Sequence, residues 1–389
     1  MTLKKIAMPP HFFRVGVNPI LIAVAALLSA CQTTQSPPAP SLLLQPPVAT
    51  HVFTLRGEHD DVVGHLQVTR AHAEDTLSDI ARRFNVGYEE VVRANPKVDP
   101  WLPREGTPVV LPTQFVLPDA PHSGVVINLA ALRLYYYPPA KKGEPQTVIT
   151  HPIGIGQVGW STPAGNTKII RKRADPVWYP PASVRKEHAE DGETLPAKIG
   201  PGPDNPLGRY AFTLDWPSYL IHGTNQPYGV GLRASHGCIR LYPEDIAQLY
   251  DLIPVGTKVT VVNQPQVYGY RGDTLYLQSY PVLDDYAGKA AAQKNKNGDA
   301  KTSTAKAVPA KTTPAKVTEA KDAAAFITAT NSGAKNIVVD KTLVDELLKN
   351  PNGVAMPISQ PQITFEKLVA SAPRVENRVP DNATWDGVE

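Results

Sequence analysis

Proline punctuation constrains this chain more than any other feature. Forty of its 389 residues are proline and 27 are glycine. Proline removes a backbone donor and fixes φ, so it is excluded from helix interiors and central strands. A chain so interrupted cannot build an all-helical bundle. It predicts many short elements joined by turns, with long linkers between ordered regions. At 42% hydrophobic and 19% charged it can still bury a core, and its length admits two or three small domains. The 39 basic and 36 acidic residues become equal once Lys4, Lys5 and Arg14 in the acid-free first thirty residues are set aside. That balance excludes the basic surface a nucleic-acid binder needs. Two cysteines exclude a disulfide scaffold and a four-cysteine zinc site.

The first thirty residues read as a secretory signal. Lys4, Lys5 and Arg14 give a positive start, and residues 15–30 are apolar apart from Asn18, Pro19 and Ser29. The stretch is too short and too broken for a comfortable membrane span. Leu28-Ser29-Ala30-Cys31 resembles the lipobox of bacterial lipoproteins. That resemblance implies cleavage before Cys31 and acylation of Cys31, and two or three acyl chains anchor a protein firmly in a bilayer. Gln32, in place of Asp, implies the outer membrane of a Gram-negative bacterium and a periplasmic location. The plainer alternative is an ordinary signal peptide with a chance cysteine. Pro37, Pro38, Pro40, Pro46 and Pro47 make residues 31–50 an extended tether.

Residues 51–118 predict a small α+β domain. Residues 66–69 alternate like a strand. Thr76 is placed to cap a helix, with Asp79 at its third position and Leu77, Ile80, Ala81 and Phe84 as its apolar stripe. A second helix over 88–94 stops at Asn95-Pro96, and residues 108–112 form a closing strand. The order strand, helix, helix, strand resembles a LysM domain. The matching pieces are Glu74-Asp75-Thr76-Leu77, Ile80-Ala81-Arg82-Arg83-Phe84, Arg93-Ala94-Asn95-Pro96 and residues 106–112. The resemblance implies a groove for N-acetylglucosamine-containing glycan. The usual Gly-Asp turn is Glu74-Asp75 here, so the alternative is a spacer that only packs on its neighbour.

Residues 119–265 read as a mostly β domain. Strand candidates fall at 125–129, 133–137, 147–151, 168–173, 208–214, 219–222 and 258–262, with Gly- and Pro-rich turns between them. One helix is expected over 243–250, with Pro243, Glu244 and Asp245 in its first turn. Before it stands Ser235-His236-Gly237-Cys238-Ile239-Arg240-Leu241. With Cys31 lipidated, Cys238 is the only thiol left. A lone cysteine in an oxidising compartment is either a buried small hydrophobe or a nucleophile. Gly237 and two histidines, His236 and His222, favour the nucleophile, because a base within about 3 Å activates a thiol. The glycines at 154, 156, 229 and 231 lack the context of a phosphate loop.

Ile221-His222-Gly223-Thr224 followed by Ser235-His236-Gly237-Cys238 resembles the signature of the YkuD-type L,D-transpeptidases. Pro152-Ile153-Gly154-Ile155-Gly156, Thr162-Pro163 and the run from Gly202 to Gly208 match as well. The fold implied is a YkuD-like β-sandwich or barrel. Cys238 matches the nucleophile and His222 its base. The Gly223 carbonyl orients the base, and amides near Gly237 and Cys238 form the oxyanion hole. By the same resemblance His⁺ beside a thiolate lowers the thiol pKa. His236 orders the loop. Arg240, Ser235 and Thr224 line the substrate, with Arg240 able to hold a carboxylate or, alternatively, to cap the loop. Arg240 stands where many members carry Asn. The implied reaction is acyl transfer from the meso-diaminopimelate of a peptidoglycan tetrapeptide stem, releasing D-Ala. No metal or organic cofactor is required, and carbapenem sensitivity is implied. The acceptor is an amine of a second stem (a 3–3 cross-link), an amine of an outer-membrane protein, or water, which makes the enzyme a carboxypeptidase. A reading of another class is an inactive wall-binding lipoprotein. Oligomeric state is not legible.

Residues 266–287 extend the β domain. Residues 288–330 are rich in Ala, Lys and Thr, with lysines every five residues from Lys301 to Lys321. That period matches neither helix nor strand, so a solvated linker is expected, serving either solubility or attraction to acidic polymers. A strand at 336–340 and a helix at 342–348 are expected within an element spanning 331–373, and residues 374–389 are expected to be disordered.

Overall fold

The computed structural model describes residues 51–57, 60–283, 285 and 338–378. The signal, Cys31, the tether and the lysine-rich linker lie outside the described residues. Among those described, no helix is long and apolar enough to cross a membrane.

The first strands are short: β1 (Val52–Thr54), β2 (Val62–Gly64) and β3 (Gln67–Arg70). Helix α1 (Leu77–Arg83) starts where Thr76 predicts. The Thr76 hydroxyl accepts from the Asp79 amide at 3.2 Å, and the Asp79 carboxylate accepts from the Thr76 amide at 2.8 Å. Two otherwise orphaned donors are satisfied reciprocally. Helix α2 (Tyr88–Ala94) begins after Gly87, whose amide donates to Glu90 Oε2 at 2.6 Å. Strand β4 (Pro108–Leu111) returns antiparallel to β3, and β5 (Gln114–Val116) pairs with β2. This region has the helices and strands of a LysM-like fold, in the expected order.

Next come β6 (Gly124–Asn128), β7 (Arg133–Tyr137), β8 (Thr147–Pro152), β9 (Ile155–Gly156) and β10 (Gly165–Ala174). Helix α3 (Ala182–Glu190) interrupts the run. Strands β11 (Tyr210–Leu214), β12 (Leu220–His222), β13 (Arg233–Ser235) and β14 (Ile239–Arg240) precede helix α4 (Pro243–Leu252) and β15 (Lys258–Val262). Nine strands form one sheet in the order β1-β8-β7-β6-β15-β10-β11-β12-β14. It curls into a half-barrel, so the expected β class holds, while the sheet is one curled layer with β1 and β14 at its ends. Its core joins Ile127 and Leu134 to Phe212, Ile221 and Ile239, and α4 inserts Ile246 and Leu249 among them.

Helix α3 is an addition to the expected pattern. It buries only Val184, so its sequence carries no apolar stripe that periodicity would detect.

The small region is built into the large one. Strand β1 extends the nine-stranded sheet at β8, with Phe53 opposite Val148. Leu77, Ile80 and Val91 share one core with Val126, Tyr135 and Val148 of the sheet. Beneath α2 the fully buried Arg133 donates to Glu90 at 2.9 and 2.7 Å, with the Phe115 ring 4.0 Å from its guanidinium.

After β15 the hairpin β16 (Gln266–Arg271) and β17 (Thr274–Ser279) gains β18 (Met356–Pro357) as a third strand. The helix expected at 342–348 is α5 (Lys341–Lys349), capped by Asp340. The strand expected at 336–340 is not formed in its described part, 338–340, where the Asp340 side chain instead accepts from the Leu343 amide at 3.1 Å. Helix α6 (Phe365–Ser371) was not anticipated. The expectation of disorder from 374 onward is corrected for 374–378. The Val375 amide donates to Val68 O at 2.9 Å, and Asn377 binds Arg83, Asp75 and the Arg70 carbonyl. These contacts with the LysM-like region supply an order that a charged, proline-flanked tail does not advertise.

Candidate active site

Cys238 owes its position to strand register. Strands β12 and β14 run parallel, with Ile221 opposite Ile239 and His222 opposite Arg240. Both isoleucines point into the core. Alternation then puts Cys238, Arg240 and His222 on the other face. Cys238 lies one step before the ladder, opposite Leu220 and diagonal to His222.

His222 is buried, and its Nδ1 donates to Gly223 O at 2.6 Å. A carbonyl only accepts, so Nδ1 carries the proton and Nε2 offers its lone pair. Burial, with Arg240 second, holds the His222 pKa down to about 3, against the hydrogen bond to Gly223. The ring is therefore neutral at any working pH. Gly223 has little room for a side chain, since a Cβ would stand 3.0 Å from Ile246.

The Cys238 thiol is half-buried and faces Ser218 O at 3.6 Å. Burial pushes its pKa up, while the main chain at Leu220 and the Arg240 charge pull the other way. In the resting site burial works against both the thiolate and the imidazolium.

The loop carrying Cys238 is pinned from beneath. The Ser235 hydroxyl, buried, donates to Cys238 O at 2.5 Å and accepts from Gly237 N at 3.2 Å. Thr224, also buried, accepts from Gln226 N at 2.9 Å. Both hydroxyls are engaged by the main chain of their own loops. The Gly237 amide hydrogen is engaged by Ser235 in the resting site. Gly237 itself sits at φ +100°, and its carbonyl accepts from Thr162 Oγ1 at 2.9 Å. The Gly154 and Gly156 block runs under this loop: a Cβ on Gly156 would stand 1.8 Å from Trp160 O and 3.0 Å from Gly237 Cα. Asn205, fully buried, donates to Pro176 O at 2.7 Å and Gly200 O at 2.9 Å. It thereby fixes the turn that brings Gly208 against Gly223 and Thr224.

Arg240 is only partly exposed, yet its Nε is buried without a hydrogen bond. Among the described residues its guanidinium makes no ion pair. Its main chain exchanges two 2.9 Å hydrogen bonds with Gly154. Among the described residues no carboxylate neutralises the charge that stands beside the thiol.

His236 is held from α3. Its Nε2 lies 2.8 Å from Glu187 Oε2, and the Trp160 ring meets its ring edge-on at 5.0 Å. Glu187 is not singled out by the sequence. Glu187 is separated from Cys238 by 51 positions on a polar helix, and only the fold brings it in. At the other candidate site, Asp75 accepts from the His72 amide and from Arg83 and Asn377, so the Glu74-Asp75 loop is already braced from within. No group of three or more His, Cys, Asp and Glu side chains is placed to hold a metal among the described residues.

The L,D-transpeptidase catalytic domain family, YkuD, matches residues 122–261, and the LysM domain family matches residues 73–112. The chain is 47% identical over 216 residues to "Probable L,D-transpeptidase YbiS" of Escherichia coli (strain K12), covering 55% of this chain and 69% of that protein. It is 46% identical over 194 residues to "Probable L,D-transpeptidase YcfS" of the same strain, covering 49% of this chain and 59% of that protein. It is also 46% identical over 198 residues to "Probable L,D-transpeptidase ErfK/SrfK" of Salmonella typhimurium, covering 51% of this chain and 62% of that protein. With 47% identity to a relative covered over 69% of its length and the catalytic-domain family matched at residues 122–261, the chain belongs to the YkuD-type L,D-transpeptidase family.

Proposed function

We propose that this chain is a peptidoglycan L,D-transpeptidase in which Cys238 is the nucleophile and His222 Nε2 its base. The observation that carries the reading is the shared face of β12 and β14, with the His222 tautomer fixed by the Gly223 carbonyl. The donor is a tetrapeptide stem. Sulfur attacks the diaminopimelate carbonyl as its proton passes to Nε2. A neutral pair needs no prior ionisation, and Arg240 stabilises the negative charge that develops on sulfur. The proton then goes to the departing amine, D-Ala leaves, and a thioester remains on Cys238. An amine takes the acyl group, either from a second stem or from an outer-membrane protein. Transfer to water is the hydrolytic alternative.

Arg240 is proposed to hold a carboxylate of the donor, since its charge has no partner among the described residues. Lipidation at Cys31, the periplasmic location and glycan binding by the LysM-like region belong to the same reading. Mass spectrometry of muropeptides tests it, after the purified chain is incubated with tetrapeptide-rich sacculi. Cross-linked or protein-linked stems with loss of D-Ala are expected. Tripeptides alone would assign hydrolysis, and unchanged tetrapeptides would remove the reading.

A further inference from the structure

The two histidines beside Cys238 are held in opposite tautomers. His222 has its proton on Nδ1, held by a main-chain carbonyl, and offers Nε2. At His236 the arrangement is reversed. The Glu187 carboxylate, which when ionised only accepts, takes the hydrogen on Nε2 at 2.8 Å. Its Nδ1 is left with the lone pair and has no hydrogen-bonding partner among the described residues.

The orienting groups differ in kind. A carbonyl fixes a ring without offering it a full counter-charge. A carboxylate both fixes the ring and stabilises the imidazolium that forms when the free nitrogen gains a proton. Their surroundings differ too. His222 is buried, whereas the side chains of His236 and Glu187 are 28% and 36% exposed, within reach of a charged molecule from solvent. The edge-on contact with Trp160 keeps the His236 ring in place.

The second half of the proposed reaction has a proton problem. An alkyl amine like the lysine side chain has a pKa of about 10.4, so it arrives as an ammonium ion. It loses two protons on becoming an amide, one before it can attack and one after. His222 Nε2, emptied when its proton left with D-Ala, has one lone pair and can take only one of the two.

We infer that His236 and Glu187 form the acceptor-amine site, with Glu187 drawing in the ammonium and His236 Nδ1 taking its first proton. The inference rests on the acyl-transfer reading above. The freed amine attacks the thioester carbonyl, the C–N bond forms, and the C–S bond breaks with its electron pair going to sulfur. The second amine proton passes through His222 Nε2 to sulfur and restores the thiol. His236 returns the first proton to water. His236 acts on the substrate directly, and Glu187 is its positioning residue as well as the ammonium's counter-charge.

The test uses the full chain, a tetrapeptide stem as donor, and two competing acceptors. One is the side-chain amine of Nα-acetyl-lysine, and the other is hydroxylamine, largely unprotonated at neutral pH. Products are quantified by mass spectrometry for wild type and Glu187→Gln, which keeps an oxygen facing Nε2 but removes the charge. The lysine-to-hydroxylamine product ratio is expected to fall about tenfold or more, because only the acceptor that has to be deprotonated suffers from a weaker base. Both products arise from the same acylated molecules, so a loss of folded protein cancels in the ratio. An unchanged ratio overturns the inference and leaves the acyl-transfer reading standing. Wild-type protein that never releases D-Ala overturns that reading, and the inference falls with it.

Discussion

Cys238 is a thiol whose burial opposes ionisation, with the main chain at Leu220 and then the Arg240 charge pulling the other way. Alkylation of the free protein is therefore expected to keep accelerating above pH 8.5, the ordinary cysteine range. Arg240→Gln should move the profile further up, because it removes the charge that favours thiolate. A profile with a midpoint near 6 in wild type would restore the ion-pair picture. His222→Ala is expected to reduce acylation by a donor or a carbapenem by about 10²- to 10⁴-fold, the usual worth of a positioned base. Intact-protein mass against time measures this, and a variant acylating at the wild-type rate would remove His222 as base. Cys238 stands out in sequence as a lone thiol with two candidate histidines, His222 and His236, and only the family resemblance chooses His222 as the base. The inward turn of Ser235 and Thr224 is not legible, because a hydroxyl near a nucleophile reads the same whether it faces substrate or main chain.

Among the elements, α2 has the most to hold. Glu90 neutralises the fully buried Arg133 and also caps the helix at Gly87. Glu90→Ala leaves that guanidinium buried and unpaired, a change that costs about 3–5 kcal/mol. Urea unfolding would read this as a lowered midpoint, and a shift under 1 kcal/mol would show that water or a shifted Arg133 replaces the partner. Element boundaries were readable where a cap or an alternation marks them, as at Thr76 or in β15. Helices α3 and α6 escaped because neither has a fully buried stripe: α3 buries Val184 alone and α6 nothing. Parallel pairing of β12 with β14, which sets the site, joins segments separated by 16 residues that include β13, and local pattern does not encode that choice.

At the scale of the described chain, the LysM-like helices and the large sheet share a core, and the segment 374–378 closes on the small region. Buried His222 ties the stability of this body to pH, and the more exposed His51, His65 and His122 act in the same direction with less force. Burial lowers the pKa of His222 to about 3, and it lowers those of His51, His65 and His122. Unfolded, each returns to about 6.5. Between these values the unfolded state binds protons that the folded state does not, so stability is full above pH 6.5 and is lost as pH falls. His222 alone contributes a slope of about 1.4 kcal/mol per pH unit. Denaturation midpoints at pH 7, 6 and 5 should decline, and a flat series would mean that the rings take up protons without unfolding. The central claim is the covalent one, and it is most directly tested by peptide mapping after brief incubation with a tetrapeptide donor. The account predicts a tripeptide acyl group on Cys238, with one D-Ala released for each, and neither in Cys238→Ala. D-Ala release that survives that substitution, or an acyl group on any other residue, would contradict it.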